Sequence, residues 1–137
     1  MNIIQRTTLA LLLLMSCCWL HAQNSKEATT AIYGFAYSTN LSDSTSYVSA
    51  ISVLPEASVN PKTHFLNNRD GFAKQFKTYV EAHYKPLQTS VLFFSKSRKT
   101  VENQFVKLRS TMQKRKGFKL VELNAQDFAF TPVKEED

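Results

Sequence analysis

Two segments of this chain have the apolar periodicity of α-helices, and each carries a single apolar stripe. The first segment begins near Asn68, a residue type that caps helices, and ends before Pro86. The second runs from about Thr100 to Lys116, with Gly117 as its C-terminal stop. The stripe of the second segment consists of Val101, Phe105, Leu108 and Met112. Because a helix with one stripe packs on one surface, these segments favour a two-layer arrangement.

Strand patterns surround the two helical segments. Side chains alternate in "AIYGFAYS" (31–38) and again in "SYVSAISVL" (46–54), and the polar connector between them is typical of a hairpin loop. The continuous apolar run "SVLFF" (90–94) indicates a central strand that is covered on both faces. "FKLVEL" (118–123) indicates a fourth strand, and "DFAF" (127–130) indicates either a fifth strand or an extended edge.

The resulting order of elements is β-β-α-β-α-β. This order predicts an α+β fold, a two-layer sandwich with both helices packed on one face of a four- to five-stranded sheet. The predicted domain spans residues 30–131, after a polar lead-in at 23–29 that is expected to be disordered and before a solvated acidic tail at 132–137. The single core expected of such a fold contains Phe76, Val80, Phe93, Phe105, Leu108 and Val121.

The N-terminal segment has the pattern of a secretory signal. Arg6 is followed by an apolar run and then by Ala22, and the run is shorter than the ~20 apolar residues that a membrane span requires. Residues 1–22 are therefore predicted to be a signal peptide, cleaved between Ala22 and Gln23. One alternative stays open, in which the imperfect lipobox "LMSC" directs lipidation of Cys17.

The cleavage position decides the redox chemistry of the exported protein. The chain has two cysteines, Cys17 and Cys18, and both precede Gln23. A mature chain that begins at Gln23 has no thiol, which excludes disulfides, cysteine nucleophiles and cysteine-bound metals. Such a chain depends on its hydrophobic core, and its length suits one domain.

Catalytic and metal-binding patterns are scarce. The predicted domain has two histidines, His64 and His83, which lie far apart and in no metal-binding spacing. The sequence contains neither a Gly-x-Ser-x-Gly nucleophile elbow nor a glycine-rich phosphate loop. It therefore predicts no catalytic residue, no metal site and no cofactor, and it favours a non-enzymatic function.

Positive charge is concentrated in and around the second helix. From Lys96 to Lys119 there are nine Lys and Arg residues and one acidic residue, Glu102, whereas the whole chain has a formal net charge of +6. Such a local field attracts anionic polymers. The cations of "KRKGFK" (114–119) also suit the C-terminal end of a helix, because positive charge there complements the helix dipole.

The helix dipole does not explain the cations of the loop "SKSRKT" (95–100) in the same way. This loop places three cations beside the N-terminal end of the second helix, where acidic residues are preferred. It also follows the carboxyl end of a predicted strand, where α/β sheets tend to bind ligands. Backbone amides, hydroxyl groups and cations together would hold an anion. The predicted anion-binding residues are Lys96, Ser97, Arg98, Lys99 and Thr100, and the alternative is a merely solvated loop.

The pattern "FLNNRDGFAKQFKTYVEAHY" followed by "SVLFFSKSRKTVENQFVKLRSTMQ" resembles small exported α+β proteins of Bacteroidetes. This resemblance covers most of the predicted domain and implies export, but it brings no known activity and no site residues. The tripeptide Asp43-Ser44-Thr45, in the predicted hairpin loop, is similar to the short O-glycosylation acceptor of the same bacteria.

Two functions remain open on the sequence. The first is a non-enzymatic periplasmic or envelope-associated domain that binds a protein or an anionic polymer, such as an anionic glycan; nucleic acid is not the expected partner. The second is a small hydrolase or carrier that acts on an anionic ligand at the loop Ser95–Thr100.

Overall fold

Five strands and two helices follow one another along residues 30–134, the part of the chain that the computed structural model describes. In order they are β1 (Tyr33–Thr39), β2 (Thr45–Val48), β3 (Ser52–Val53), α1 (Arg69–His83), β4 (Thr89–Ser95), α2 (Arg98–Gln113) and β5 (Lys119–Glu122). The predicted α+β class and order of elements are confirmed, with the second predicted strand divided into β2 and β3. The proposed cleavage between Ala22 and Gln23 and the alternative lipidation of Cys17 lie outside the described residues.

The five strands form one mixed sheet in which β1 is central. β4 pairs antiparallel with β1 along its whole length, from Ser95 opposite Tyr33 to Thr89 opposite Thr39. On the other side of β1 lie β2 and β3, both antiparallel, and β5 adds a parallel neighbour to β2. The run "SVLFF", predicted to be a central strand, therefore lies in β4 at one edge of the sheet.

One extra residue separates β2 from β3. Val48 pairs with Tyr37 of β1, and Ser52 pairs with Gly34. The two pairs are therefore four residues apart on one strand but only three residues apart on β1. The hydroxyl of Ser49 accepts a hydrogen bond from the amide of Ala36 at 2.8 Å, so a side chain replaces a backbone acceptor at this point. This arrangement is a β-bulge. It explains why one alternating sequence segment forms two strands.

The two helices pack on opposite faces of the sheet. Neighbouring residues of a strand point to opposite faces. Ala36 and Leu92 lie in the apolar cluster of α1, whereas their neighbours Phe35 and Phe93 lie in the cluster of α2. The predicted packing of both helices on one face is corrected by this arrangement. Its physical reason is the continuous apolar run of β4, which needs cover on both sides.

The residues predicted to share one core are accordingly divided between two clusters. Phe76, Val80 and Val121 belong to the α1 cluster, and Phe93, Phe105 and Leu108 belong to the α2 cluster. On the α2 side, the ring of Phe35 stacks on Phe93 with a centroid distance of 4.8 Å and meets Phe105 edge-on at 5.1 Å.

The helices begin and end close to the predicted positions, but the capping of α1 differs from the prediction. α1 begins after Asn68, but this residue has a left-handed backbone with φ of 56°, and its side chain makes no capping hydrogen bond. α2 begins at Arg98, two residues earlier than predicted, and ends at Gln113. Gly117 has the expected left-handed φ of 78°, although it lies beyond the end of α2.

Residues 124–134, here called the C-terminal segment, run along α1 without forming a strand, so "DFAF" is not part of the sheet. The side chain of Gln75 donates to the carbonyl of Thr131 at 2.9 Å and accepts from its amide at 3.0 Å. Val133 packs so closely on Gly71 that an added Cβ would lie 2.5 Å from the valine side chain. Apolar packing therefore continues past residue 131.

Candidate functional site

The fold places the two basic segments of the sequence at opposite ends of α2. The loop Ser95–Thr100 connects β4 to α2, and residues 114–119 connect α2 to β5. Because α2 has 16 residues, its ends lie about 24 Å apart. The charge that looks continuous in the sequence is therefore two separate clusters.

Two hydroxyl groups of the loop Ser95–Thr100 accept hydrogen bonds from backbone amides of the same loop. The hydroxyl of Ser97 caps α2 by accepting the amide of Thr100 at 3.3 Å, and the hydroxyl of Ser95 accepts the amide of Ser97 at 3.1 Å. The amides of Arg98 and Lys99, the first two of the helix, donate to no acceptor within residues 30–134. Two backbone donors are therefore available to a ligand at the positive end of the helix dipole.

Of the three cations in this loop, only Arg98 forms an ion pair within the described part of the chain. Nε of Arg98 donates to Oε1 of Glu102 at 3.0 Å, and its guanidinium lies 5.9 Å from the ring centroid of Tyr33. Lys96 and Lys99 are exposed and form no ion pair with any residue that the structure describes. The five predicted residues thus lie together in the structure. Of their three cations, Lys96 and Lys99 have no ion-pair partner among the described residues.

The surface around the loop is shallow. A pocket of about 240 Å³ includes Ser95 and Lys96 together with His64 and Phe94. Two larger grooves, of about 640 and 680 Å³, lie along α1 and contain none of residues 95–100. The predicted anion-binding residues are therefore spread over an exposed surface.

Residues 114–119 form the second basic cluster, at the other end of α2. Four exposed cations, Lys114, Arg115, Lys116 and Lys119, follow the last residue of the helix and make no ion pair within the described part of the chain. The guanidinium of Arg115 lies 4.8 Å from the ring centroid of Phe118. These cations lie at the negative end of the helix dipole, which they complement.

An aromatic cluster at the C-terminal end of α1 was not predicted from the sequence. Tyr79 stacks on His83 with a centroid distance of 4.1 Å and contacts Phe128 at 5.3 Å, and Tyr84 lies 4.9 Å from Tyr47. The sequence signal for it is weak, because these residues come from three separate segments. His83 is the last residue of α1, and its Nδ1 lies 2.9 Å from the carbonyl oxygen of Tyr79.

Two hydroxyl groups of this cluster have perturbed acidity. Desolvation raises the pKa of the Tyr47 hydroxyl, and the neighbouring Asp43 and Tyr84 add to the effect. Desolvation likewise raises the pKa of the Tyr79 hydroxyl, with Tyr84 and Asp127 adding to it. Both shifts favour the neutral phenol, so neither tyrosine is prepared to act as a base or nucleophile at neutral pH.

Within residues 30–134, no three His, Cys, Asp or Glu side chains are grouped so as to hold a metal ion, and no helix has the length and apolarity to cross a membrane. No protein-family model, no curated protein and no solved structure matches this chain. Function must therefore be inferred from geometry and charge.

Proposed function

We propose that this chain is an exported, non-enzymatic binding module that captures an anionic polymer, such as an acidic glycan, at the N-terminal end of α2. One observation carries the proposal. Lys96 and Lys99, exposed and unpaired among the described residues, lie beside the two helix amides that have no intrachain acceptor. A negatively charged group placed there would receive backbone hydrogen bonds and meet two lysines.

The electrostatics of the free protein support the same site. Cations at the N-terminal end of a helix oppose its dipole, and Lys96 and Lys99 form no ion pair with an acid among the described residues. Arg98 is different, since Glu102 pairs with it one turn later. Ligand binding would relieve a repulsion that the unliganded loop retains.

The shape of the surface favours a polymer over a small substrate. Binding pockets for small molecules usually have volumes of roughly 300–1,000 Å³ and enclose most of the ligand. The pocket beside Ser95 and Lys96 holds about 240 Å³. An extended polyanion needs only a surface with repeated charge contacts. The alternative, a hydrolase or carrier acting at Ser95–Thr100, would need walls that this surface does not supply.

Export belongs to the same proposal. We expect cleavage between Ala22 and Gln23 and a periplasmic or secreted protein without lipid. The intact mass of the protein from its native host tests this expectation. A mass that shows diacylated or triacylated Cys17 would make the protein a membrane-anchored lipoprotein instead.

Thermal melts with added polygalacturonate or inorganic phosphate test the anion site. Both additives should raise the melting temperature in a saturable way, because a ligand that binds only the folded state stabilises it by about 2.7 kcal/mol at 100 times its Kd. The double variant Lys96→Gln/Lys99→Gln should lose this rise. Lys74→Gln/Lys107→Gln removes the same charge from exposed lysines outside the loop and the pocket beside it, and it should keep the rise.

Simple ionic screening gives a different result. Chloride at matched ionic strength would then stabilise the protein as well as phosphate does, and without saturation. Equal effects of chloride and phosphate would reject the anion site. An undiminished phosphate effect in Lys96→Gln/Lys99→Gln would also reject it.

A further inference from the structure

Three loops meet at the end of the molecule where both helices terminate, and we call this region the loop end. The loop end comprises residues 40–44, 84–88 and 114–118. Hydrogen bonds join the loops: Nδ2 of Asn40 donates to the carbonyl of Pro86 at 3.2 Å, and the amide of Lys119 donates to the carbonyl of Ser44 at 2.9 Å. The loops therefore form one continuous surface.

Large apolar side chains project from this surface. Leu41 is 98% exposed, Leu87 is 81% exposed and Phe118 is 44% exposed. The antiparallel ladder of β1 and β4 ends with Thr39 opposite Thr89, and just beyond it Asn40 is hydrogen-bonded to Pro86, so Leu41 and Leu87 each follow a residue of this contact. The two most exposed leucines thus belong to adjacent loop tips.

The exposure of Leu87 is imposed by its surroundings. Its backbone is left-handed, with φ of 58°, a conformation that bulky residues rarely adopt. On one side the carbonyl of Pro86 is fixed by Asn40. On the other side Gln88 is buried, and its backbone amide donates to Oε1 of Glu81 at 3.1 Å. Anchors on both sides hold the leucine in solvent in a strained conformation, a feature that often marks functional loops.

Positive charge borders the apolar tips. The cations of residues 114–119 are exposed and make no ion pair within the described range. Asp43 is the one acidic residue of the three loops, and it is already paired with Lys85 at 3.6 Å. The loop end therefore combines projecting apolar side chains with uncompensated positive charge.

We propose that the loop end docks on the surface of a bilayer that contains anionic phospholipids. Leu41, Leu87 and Phe118 enter the interface, and the cations of residues 114–119 contact the headgroups. A soluble polyanion would engage these cations but leave the leucines in water. An anionic bilayer accommodates both, because it offers apolar depth beneath a negative surface.

This surface is distinct from the proposed polymer site, which lies at the opposite end of α2. Both surfaces can be occupied at once, since about 24 Å of helix separates them. A domain bound to a bilayer through its loop end would keep Lys96 and Lys99 free for a polymer. The two proposals can therefore fail independently.

Vesicle flotation tests the membrane proposal. The protein is recovered from an exporting bacterial host, with its N-terminus established by intact mass. We expect it to bind vesicles of equal parts phosphatidylglycerol and phosphatidylcholine at least about tenfold more tightly than vesicles of phosphatidylcholine alone, because each basic residue adds attraction to an anionic surface. Leu41→Ser/Leu87→Asn should weaken this binding by about tenfold or more. Its melting temperature should not fall, since both positions are exposed and asparagine tolerates a left-handed backbone.

Charge variants complete the test. Lys114→Gln/Lys116→Gln should lower the affinity for the mixed vesicles, whereas the charge-matched Lys62→Gln/Lys107→Gln should not. Equal binding to neutral and mixed vesicles would overturn the proposal, and so would undiminished binding of the leucine variant. Failure of the polymer site shows instead in the melts of Lys96→Gln/Lys99→Gln, which do not involve vesicles.

Discussion

The two helices have similar lengths, but the fold uses them differently. α1 buries Phe72, Phe76 and Val80 and is covered in addition by the C-terminal segment. α2 fully buries only Val101 and Met112, at the two ends of its stripe. The α1 face of the sheet is therefore the thicker apolar layer, and the α2 face is the thinner one.

From this difference we infer that stability and the proposed binding depend on different parts of the domain. Because α1 and the C-terminal segment together bury more apolar side chains than α2 does, α2 can carry a high density of charge. Both proposed binding surfaces lie at the ends of α2, where its charged residues are not needed for packing. The following predictions test this division, beginning with the largest effect.

Phe76→Ala should cost more stability than Phe105→Ala. Phe76 is completely buried and contacts Phe128 at a centroid distance of 5.0 Å, so its truncation should cost about 3–5 kcal/mol. Phe105 is partly exposed, and the guanidinium of Arg109 lies 4.9 Å from its ring centroid. Truncation of Phe105 should therefore lower the free energy of unfolding by less than about 3 kcal/mol. Urea unfolding of both variants measures the difference. A Phe105→Ala cost equal to that of Phe76→Ala would show that the two layers contribute equally.

The class and element order of this fold follow from the sequence directly, whereas the face that each helix covers follows only when the helical stripes and the strand pattern are considered together. A single apolar stripe shows that a helix packs on one surface without showing which one. The run "SVLFF" held the missing information, since a strand covered on both faces requires a layer on each side. With two single-striped helices available, each had to take one face.

The bulge and the loop end are hidden from the sequence for a different reason. Val48 and Ile51 lie in the same cluster although they are three residues apart, because the extra residue between β2 and β3 shifts the alternation. The loops that carry Leu41 and Leu87 are adjacent only because β1 pairs with β4. Register depends on tertiary pairing, which spacing along one chain does not report.

The five predicted anion-binding residues are consecutive, so their proximity follows from the sequence alone. The engagement of Arg98 was missed, since α2 was expected to begin near Thr100, which would leave Arg98 outside the helix. With the helix beginning at Arg98, Glu102 lies one turn away and pairs with it. Ser97 lacks a Glu or Gln three residues later, so the usual capping-box signal was absent.

The two helices should also respond differently to loss of their capping residues. Ser97→Ala removes the hydroxyl that accepts the Thr100 amide, and it should lower stability by about 1 kcal/mol. Asn68→Gly should leave stability unchanged or raise it, because Asn68 makes no side-chain cap and has a left-handed backbone that glycine adopts freely. Urea unfolding checks both variants. A loss of stability in Asn68→Gly that matches the loss in Ser97→Ala would mean that Asn68 also caps its helix.

The smallest effect concerns the dipole of α2 and uses three single lysine substitutions on or beside that helix. Lys99→Gln removes a cation from the first turn and should raise stability, whereas Lys114→Gln removes one from the C-terminal end and should lower it, each by about 0.3–1 kcal/mol at low ionic strength. Lys107→Gln, in the middle of the helix, controls for the substitution itself. Urea unfolding midpoints at low and high salt provide the measurement, because screening should shrink both effects together. If the shifts at low salt have the same sign, Lys99 does not oppose the dipole. The N-terminal loop would then hold no repulsion for a ligand to relieve, and the electrostatic support for the polymer site would be lost.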